Sequence, residues 1–412
     1  MHKLRIKIYY VIALLFVTYL LNNCAIPLSS AETGTLKFYE SSKQFLSDKL
    51  KSWTGGKISL DTRDLSWVDS ICLINTSFDW TLVDVYGERP FSQGKEPITN
   101  RKDLYCFLKI ASRLKSYKYI ILDIALDKKR TPYDDSLSIL IPKMDNIIVA
   151  RSNEYDIISS LKPKSGWVDY YKMPYESNFV KYNYGTRERK SLPLCMYNDL
   201  NKRDAITSLF GLFYFDGFKL CQKASILDFD IRYTTDTKDI ESGQSKSFFA
   251  YQNLGTDFND ESGNLFNDIE KIKGCIDNKI VLIGNLLGDD KHDTYVGEMP
   301  GAIINLNAFL SLHKGKHIVK FHHVLILFLF YLTLYILIEK KRYFLFKKIS
   351  ESDFGTIIVS IIGWSTFFNI IALLLYILLG VFFNPWYPTL WFTFVPQCVK
   401  LFKLIRSYCY IS

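Results

Sequence analysis

The chain has 412 residues, 48% of them hydrophobic and 16% aromatic, with 51 Lys and Arg against 42 Asp and Glu, a formal net charge of +9. A basic balance of this size raises nucleic acid as a partner, but its placement argues against that. Eleven of the 51 basic and three of the 42 acidic residues fall beside the apolar runs at the two ends, which leaves 40 against 39 elsewhere. No nucleic-acid partner is expected.

Ile8–Leu21 is the first apolar run, preceded by Lys3, Arg5 and Lys7. Three more close the chain: Val324–Ile338, Thr356–Phe383 and Trp386–Val399. Crossing hydrocarbon takes about 20 mostly apolar residues, and each run approaches that length with its flanks. They predict four transmembrane helices. Lys and Arg collect on the cytoplasmic side. Lys340, Lys341, Arg342, Lys347 and Lys348 between the second and third runs, and Lys400, Lys403 and Arg406 after the fourth, therefore put both termini inside and the long middle section outside. The expected localisation is a bacterial inner membrane, multi-pass, with the lipid bilayer as a partner. The N-terminal run reads either as an uncleaved anchor or as a cleaved signal peptide.

Residues 1–28 form the N-terminal anchor, 29–66 a connector, 67–320 the outside domain, and 321–412 three spans with a short tail. Within the domain no internal repeat or low-complexity stretch appears. Val68–Asn75 reads as a strand, and Asn100 opens a helix with Asp103 three residues on, as in a capping box. Leu104, Leu108, Ala111 and Leu114 make its apolar stripe. Tyr119–Leu122 is an unbroken apolar strand ending at Asp123, which completes a βαβ unit with parallel strands. A short helix over Asp135–Met144 and a strand over Asn146–Ala150 repeat the pattern. Ile226–Tyr233 alternates apolar with charged residues and predicts a half-buried strand. Lys279–Gly284 is another buried strand, and Ile303–His313 a helix stopped near Gly315. Continuous apolar strands separated by helices predict an α/β domain with a largely parallel, helix-covered sheet.

Open parallel sheets bind ligands beyond the carboxyl ends of their strands. Asn75, Thr76, Ser77 and Asp79 follow the first strand, Asp123 and Asp127 the second, and Asn285 through Thr294 the Lys279–Gly284 strand. The candidate ligand-binding residues are Asp79, Arg101, Asp123, Asp289, His292 and Asp293. Small-ligand or cation sensing, metal-assisted hydrolysis, and plain structural capping and bracing all fit these residue types. No Gly-x-Ser-x-Gly, Walker A or His-Glu-x-x-His sequence is present, and no catalytic residue, metal or cofactor is assigned. Cys72 and Cys106, on an apolar strand and helix, read as small buried thiols, and a Cys195–Cys221 bridge stays open.

Lys279–Gly284, Asp290-Lys-His-Asp-Thr294, Pro300-Gly301, Asn305-Leu-Asn307-Ala308 and Gly315, with Tyr119–Asp123 earlier, resemble the type-2 CHASE domain family. Ile98–Arg101 stands where that family often has a helix-leading Arg. The family's common Gly-Arg-Trp-Pro-Trp element is reduced here to Gly87-Glu-Arg-Pro-Phe91. The resemblance implies an extracytoplasmic sensory domain with one span before it and three after. With no room for an output domain after the last run, it implies signalling to, or docking of, a membrane or cytoplasmic partner in response to a small ligand. The alternatives are an extracytoplasmic hydrolase using the Asp289–Asp293 cluster and a structural subunit of an envelope complex.

Overall fold

The computed structural model describes residues 2–23, 29–54, 70–86, 92–127, 130–153, 157–168, 181–185, 189–227, 229–231, 251–258, 269–287, 290–339, 353–379 and 384–391. The chain divides into two compact units, Arg63–Ile318 and, separately, Met1–Thr62 with Val319–Ser412.

In the Arg63–Ile318 unit the strands are β1 (Ile71–Asn75), β2 (Trp80–Tyr86), β3 (Ser92–Thr99), β4 (Tyr119–Asp123), β5 (Ile147–Arg151), β6 (Ser165–Trp167) and β7 (Lys181–Asn183). They continue with β8 (Ile206–Leu209), β9 (Phe213–Asp216), β10 (Lys219–Cys221), β11 (Ala224–Ile226), β12 (Tyr251–Asn253), β13 (Ile280–Gly284), β14 (Lys291–Thr294) and β15 (Gly297–Pro300). Six of them form the central sheet in the order β12-β1-β13-β4-β5-β6, and each neighbouring pair is parallel. The α/β reading with a largely parallel sheet is what the structure has. β1 and β13 are buried at every residue, as apolar strands covered on both faces must be. The chain passes from β1 to β4 and leaves between them a slot that β13 fills much later. Asn75, Gly284 and Asp123 consequently end three adjacent strands in one row.

Helices cover the sheet. Numbering along the whole chain, with α1 and α2 in the other unit, α3 (Arg101–Leu114) follows the β2–β3 hairpin. It starts at Asn100, whose side chain accepts from the backbone N–H groups of Lys102 and Asp103, satisfying donors that a helix start leaves open. Leu104, Phe107, Leu108 and Ala111 are fully buried, and full burial of each large apolar side chain contributes about 1.5–3 kcal/mol. α4 (Pro132–Leu140) follows Thr131 in a capping box with Asp134 and passes into a 3-10 turn over Ile141–Lys143. α5 (Leu192–Asn201) packs so closely on β6 that a Cβ on Gly166 would lie 2.4 Å from the Cα of Leu192. α6 (Ile269–Ile276) precedes β13, and α7 (Gly301–His313) is buried from Gly301 through Leu312.

Two sequence expectations change. Residues 229–231 form no strand, although Leu227, Phe229 and Ile231 are buried. The backbone of Ile231 bonds instead to the side chain of Asn307, donating to Oδ1 at 3.0 Å and accepting from Nδ2 at 2.9 Å. An amide side chain supplies what a neighbouring strand would have supplied, and Asp230 between Phe229 and Ile231 is buried as well, so the segment is enclosed without a ladder. Cys72 is not a thiol: it is disulfide-bonded to Cys275 of α6, with Cα atoms 6.3 Å apart. Cys106, Cys195 and Cys221 are free.

The other unit holds α1 (His2–Asn23), α2 (Ser29–Trp53), α8 (Phe321–Glu339) and α9 (Asp353–Leu379). Among the described residues no helix is long and apolar enough to cross a membrane. α1 has Lys3, Arg5 and Lys7 in its first two turns. The uncharged part of α8 runs only from Val324 to Ile338, between His322-His323 and Glu339. α9 opens on Asp353. Tyr39 of α2, a helix with several charges, donates to the backbone O of Asn369 at 3.1 Å, and Tyr376 of α9 donates to Glu40. The fourth run is described only to Trp391. The four-span arrangement is therefore corrected. With it go the bilayer as partner, the inner-membrane localisation with the large domain outside and both termini cytoplasmic, and the role of membrane sensor signalling to a membrane or cytoplasmic partner.

Candidate ligand site at the carboxyl edge of the sheet

The row formed by Asn75, Gly284 and Asp123 is the floor of the site. Asn75 is completely buried, and both ends of its amide are engaged. Oδ1 accepts from the backbone N–H of Ser77 and of Leu286, both at 3.1 Å, and from the Ser77 hydroxyl. Nδ2 donates to Asn253 Oδ1 at 2.8 Å. The Ser77 hydroxyl, whose single proton goes to Asn75, also lies 2.5 Å from Asn285 Oδ1 and accepts from the N–H of Leu287 at 2.9 Å. One side chain thus ties together the loops after β1, β12 and β13, the requirement a buried polar group imposes.

Asp123 is half-buried. It accepts from Asn305 Nδ2 of α7 at 3.3 Å, and Asn305 Oδ1 accepts from the Tyr182 hydroxyl at 2.8 Å. Burial pushes the Asp123 carboxyl up to about 6, and the charge of Asp290 adds to the rise; the Asn305 hydrogen bond and His292 oppose it. His292 Nε2 lies 3.0 Å from Asp290 Oδ1. The backbone O of Asp290 accepts from the first N–H of α7, that of Gly301, at 3.1 Å. The same short loop therefore both starts the helix and brings its charges to Asp123.

The six candidate residues separate into different places. Asp123 and His292 are brought together, joined by Asp290. Asp289 lies outside the described residues. Asp293 is exposed on β14, opposite Glu298 in the β14–β15 hairpin. Arg101 is buried, 3.3 Å from the fully buried Asp134, and its Nη2 donates to the backbone O of Ala125 at 2.6 Å. Burial lowers its pKa, and Asp134 and Asp127 counter this. Arg101 thereby fixes the loop after β4 to the starts of α3 and α4. Asp79 is buried beside Asp103 and the loop at Leu254 and Gly255, where a Cβ on Gly255 would meet Asp79 Oδ1 at 2.2 Å and Asp103 Oδ2 at 3.3 Å. Desolvation raises both carboxyls, that of Asp103 to about 6 with a contribution from the Asp79 charge.

Asn305, Tyr182 and Asp290 complete the surroundings of Asp123; none was among the six candidate ligand residues, although Asp290 falls within the Asp289–Asp293 cluster. Two are ordinary polar residues on buried elements, and only the position of Asn305 opposite the end of β4 reveals its part. Among the described residues no group of three or more His, Cys, Asp or Glu is placed to hold a metal ion.

The fold and site define an α/β protein with a parallel sheet and a polar carboxyl edge. No family model matches the chain, and no curated protein or solved structure matches it either. The resemblance to the type-2 CHASE family is corrected on two grounds: no model of that family matches, and no membrane-crossing helix flanks the domain among the described residues.

Proposed function

We propose that the α/β domain binds a small organic amine at the carboxyl edge of its sheet, with Asp123 as the counter-ion. The observation that carries this reading is the Asp123 carboxylate itself. It ends a central strand, receives one long hydrogen bond among the described residues, from Asn305, and is crowded by the negative charge of Asp290. A cation between the two carboxylates relieves both their mutual repulsion and the desolvation of Asp123. His292, already against Asp290, forms the rim. In this reading Arg101 and Asp79 hold the supporting loops and make no ligand contact, and the site binds without catalysing a reaction.

Titration calorimetry on the full chain with ethanolamine and putrescine as probes tests it. A carboxyl titrating near 6 is about one-tenth ionised at pH 5 and almost wholly ionised at pH 7.5. Affinity therefore rises about tenfold between those values. Asp123→Asn abolishes binding. Equal affinity in wild type and Asp123→Asn, or no binding of either amine at pH 7.5, rejects the proposal.

A further inference from the structure

Away from the carboxyl edge, a cavity of about 740 Å³ runs along β5 and β6 against α5, from Asn146 at the start of β5 to Arg151 at its end. That volume lies within the range of small-molecule sites. Its walls carry six basic side chains and three carboxylates, an excess of three positive charges. Two of the carboxylates already have partners. Asp204 is 2.6 Å from Lys190, and Asp199 accepts from the Tyr119 hydroxyl at 2.6 Å.

Trp167 organises the basic side. The guanidinium of Arg151 lies 4.2 Å from its ring centroid, and that of Arg189 lies 4.3 Å away. Stacking on an aromatic ring fixes the plane of a guanidinium, and Arg151 is the one of the two that lines the cavity. Arg151 is further anchored through its backbone, which pairs with Trp167 in the sheet and accepts from Val168 at 2.9 Å. Lys164 follows on the 3-10 turn that leads into β6, and Lys202 closes α5 in a left-handed conformation, with φ of 52°. Arg151, held in place on the cavity wall, and lysines converging from separate elements form a recognition surface for negative charge.

We propose that this groove is a second ligand site, one that takes a small, multiply charged anion. Phosphate and carboxylate groups share the chemistry that the arginine edges and lysines recognise. Arg203 is paired with Asp216 at 2.6 Å, and the remaining excess of two charges favours a ligand bearing two or more negative charges over a monoanion. The site is independent of the amine site at Asp123.

The test is titration calorimetry of the full chain with inorganic pyrophosphate, with tricarballylate as the polycarboxylate, and with acetate as the monoanion. Pyrophosphate or tricarballylate binds at one equivalent, the stronger of the two naming the ligand class, and acetate does not compete. Arg151→Glu and Lys164→Glu each weaken binding by about tenfold or more. Asp123→Asn leaves it unchanged, which separates the two sites. Lys102→Glu, an exposed lysine on α3, is the control for general charge. Lys162→Glu, on the exposed turn, replaces Arg151→Glu should that variant fail to fold. Absence of binding by both polyanions at 1 mM overturns the proposal, as does an equal loss in Lys102→Glu.

Discussion

Replacing Asp123 by Asn probes the central feature of the site without any ligand. An aspartate in the unfolded chain titrates near 3.8, and burial holds Asp123 up to about 6 in the fold. The folded state therefore keeps its proton more tightly, so the contribution of this group is most favourable below pH 3.8. It is lost as pH rises through the interval to about 6. At about 1.4 kcal/mol per pH unit, that interval corresponds to about 3 kcal/mol. The value is an upper bound, because water still reaches the half-buried side chain. Roughly half of it, about 1.4 kcal/mol, falls between pH 5 and pH 7.5. Asn has nearly the same shape and no charge to desolvate. Losing the charged Asn305 contact costs the variant about 1 kcal/mol, so it is more stable than wild type at pH 7.5 by at most about 2 kcal/mol. The advantage shrinks towards zero at pH 5. Asp103, also raised to about 6, titrates in both chains and cancels in the difference. Urea unfolding followed by circular dichroism at the two pH values measures it. A difference between the chains that is the same at pH 5 and pH 7.5 refutes the reasoning.

Two further substitutions test the framework that positions the site. Asp134→Ala removes the partner of the buried Arg101 and the acceptor for the backbone N–H groups of Arg130 and Thr131, at 2.9 and 2.8 Å. An uncompensated buried guanidinium costs about 3–5 kcal/mol, and a loss below about 1 kcal/mol in denaturant unfolding contradicts this account of the pair. Gly166→Ala places a methyl group 2.4 Å from the Cα of Leu192, a backbone atom that cannot swing away. The overpacking costs about 1–3 kcal/mol and separates α5 from β6, so unaltered stability together with unaltered anion binding contradicts the packing described for the groove wall.

Local pattern made some of the architecture legible. β1, β4, β5 and β13 are apolar runs bounded by polar residues, and such runs form buried strands because both faces are covered. Asn100 and Asp103 mark the start of α3 through short-range hydrogen bonds that any chain with that spacing can form. The sequence also placed polar residues at strand ends, where Asp123 and Asn75 are found. It did not separate Asp123, which faces Asn305 and Asp290 at the end of β4, from Asp79, which lies beside Asp103 and the Gly255 loop, or from Arg101, which engages Asp134. All three are charged residues beside apolar segments, and nothing local distinguishes them. The 226–233 alternation misled because an apolar residue is buried wherever its surroundings exclude water. Phe229 and Ile231 are buried, so is Asp230 between them, paired with Lys314 at 2.6 Å, and a helix side chain takes the backbone bonds of Ile231. The apolar terminal runs misled as well: the first two and the described part of the third lie in continuous helices, but among the described residues none is both long and apolar enough to cross a membrane.

Sequence by itself determined that this chain builds an α/β domain around parallel apolar strands, because side-chain period and helix capping are written within a few residues of one another. Only the tertiary structure decided that β13 enters between β1 and β4, that Asn305 meets Asp123, that Cys72 joins Cys275, and that Arg151 and Arg189 close on Trp167. Each of these pairs residues far apart in the chain. Their partnership is set by packing and sheet order, and no local pattern encodes it.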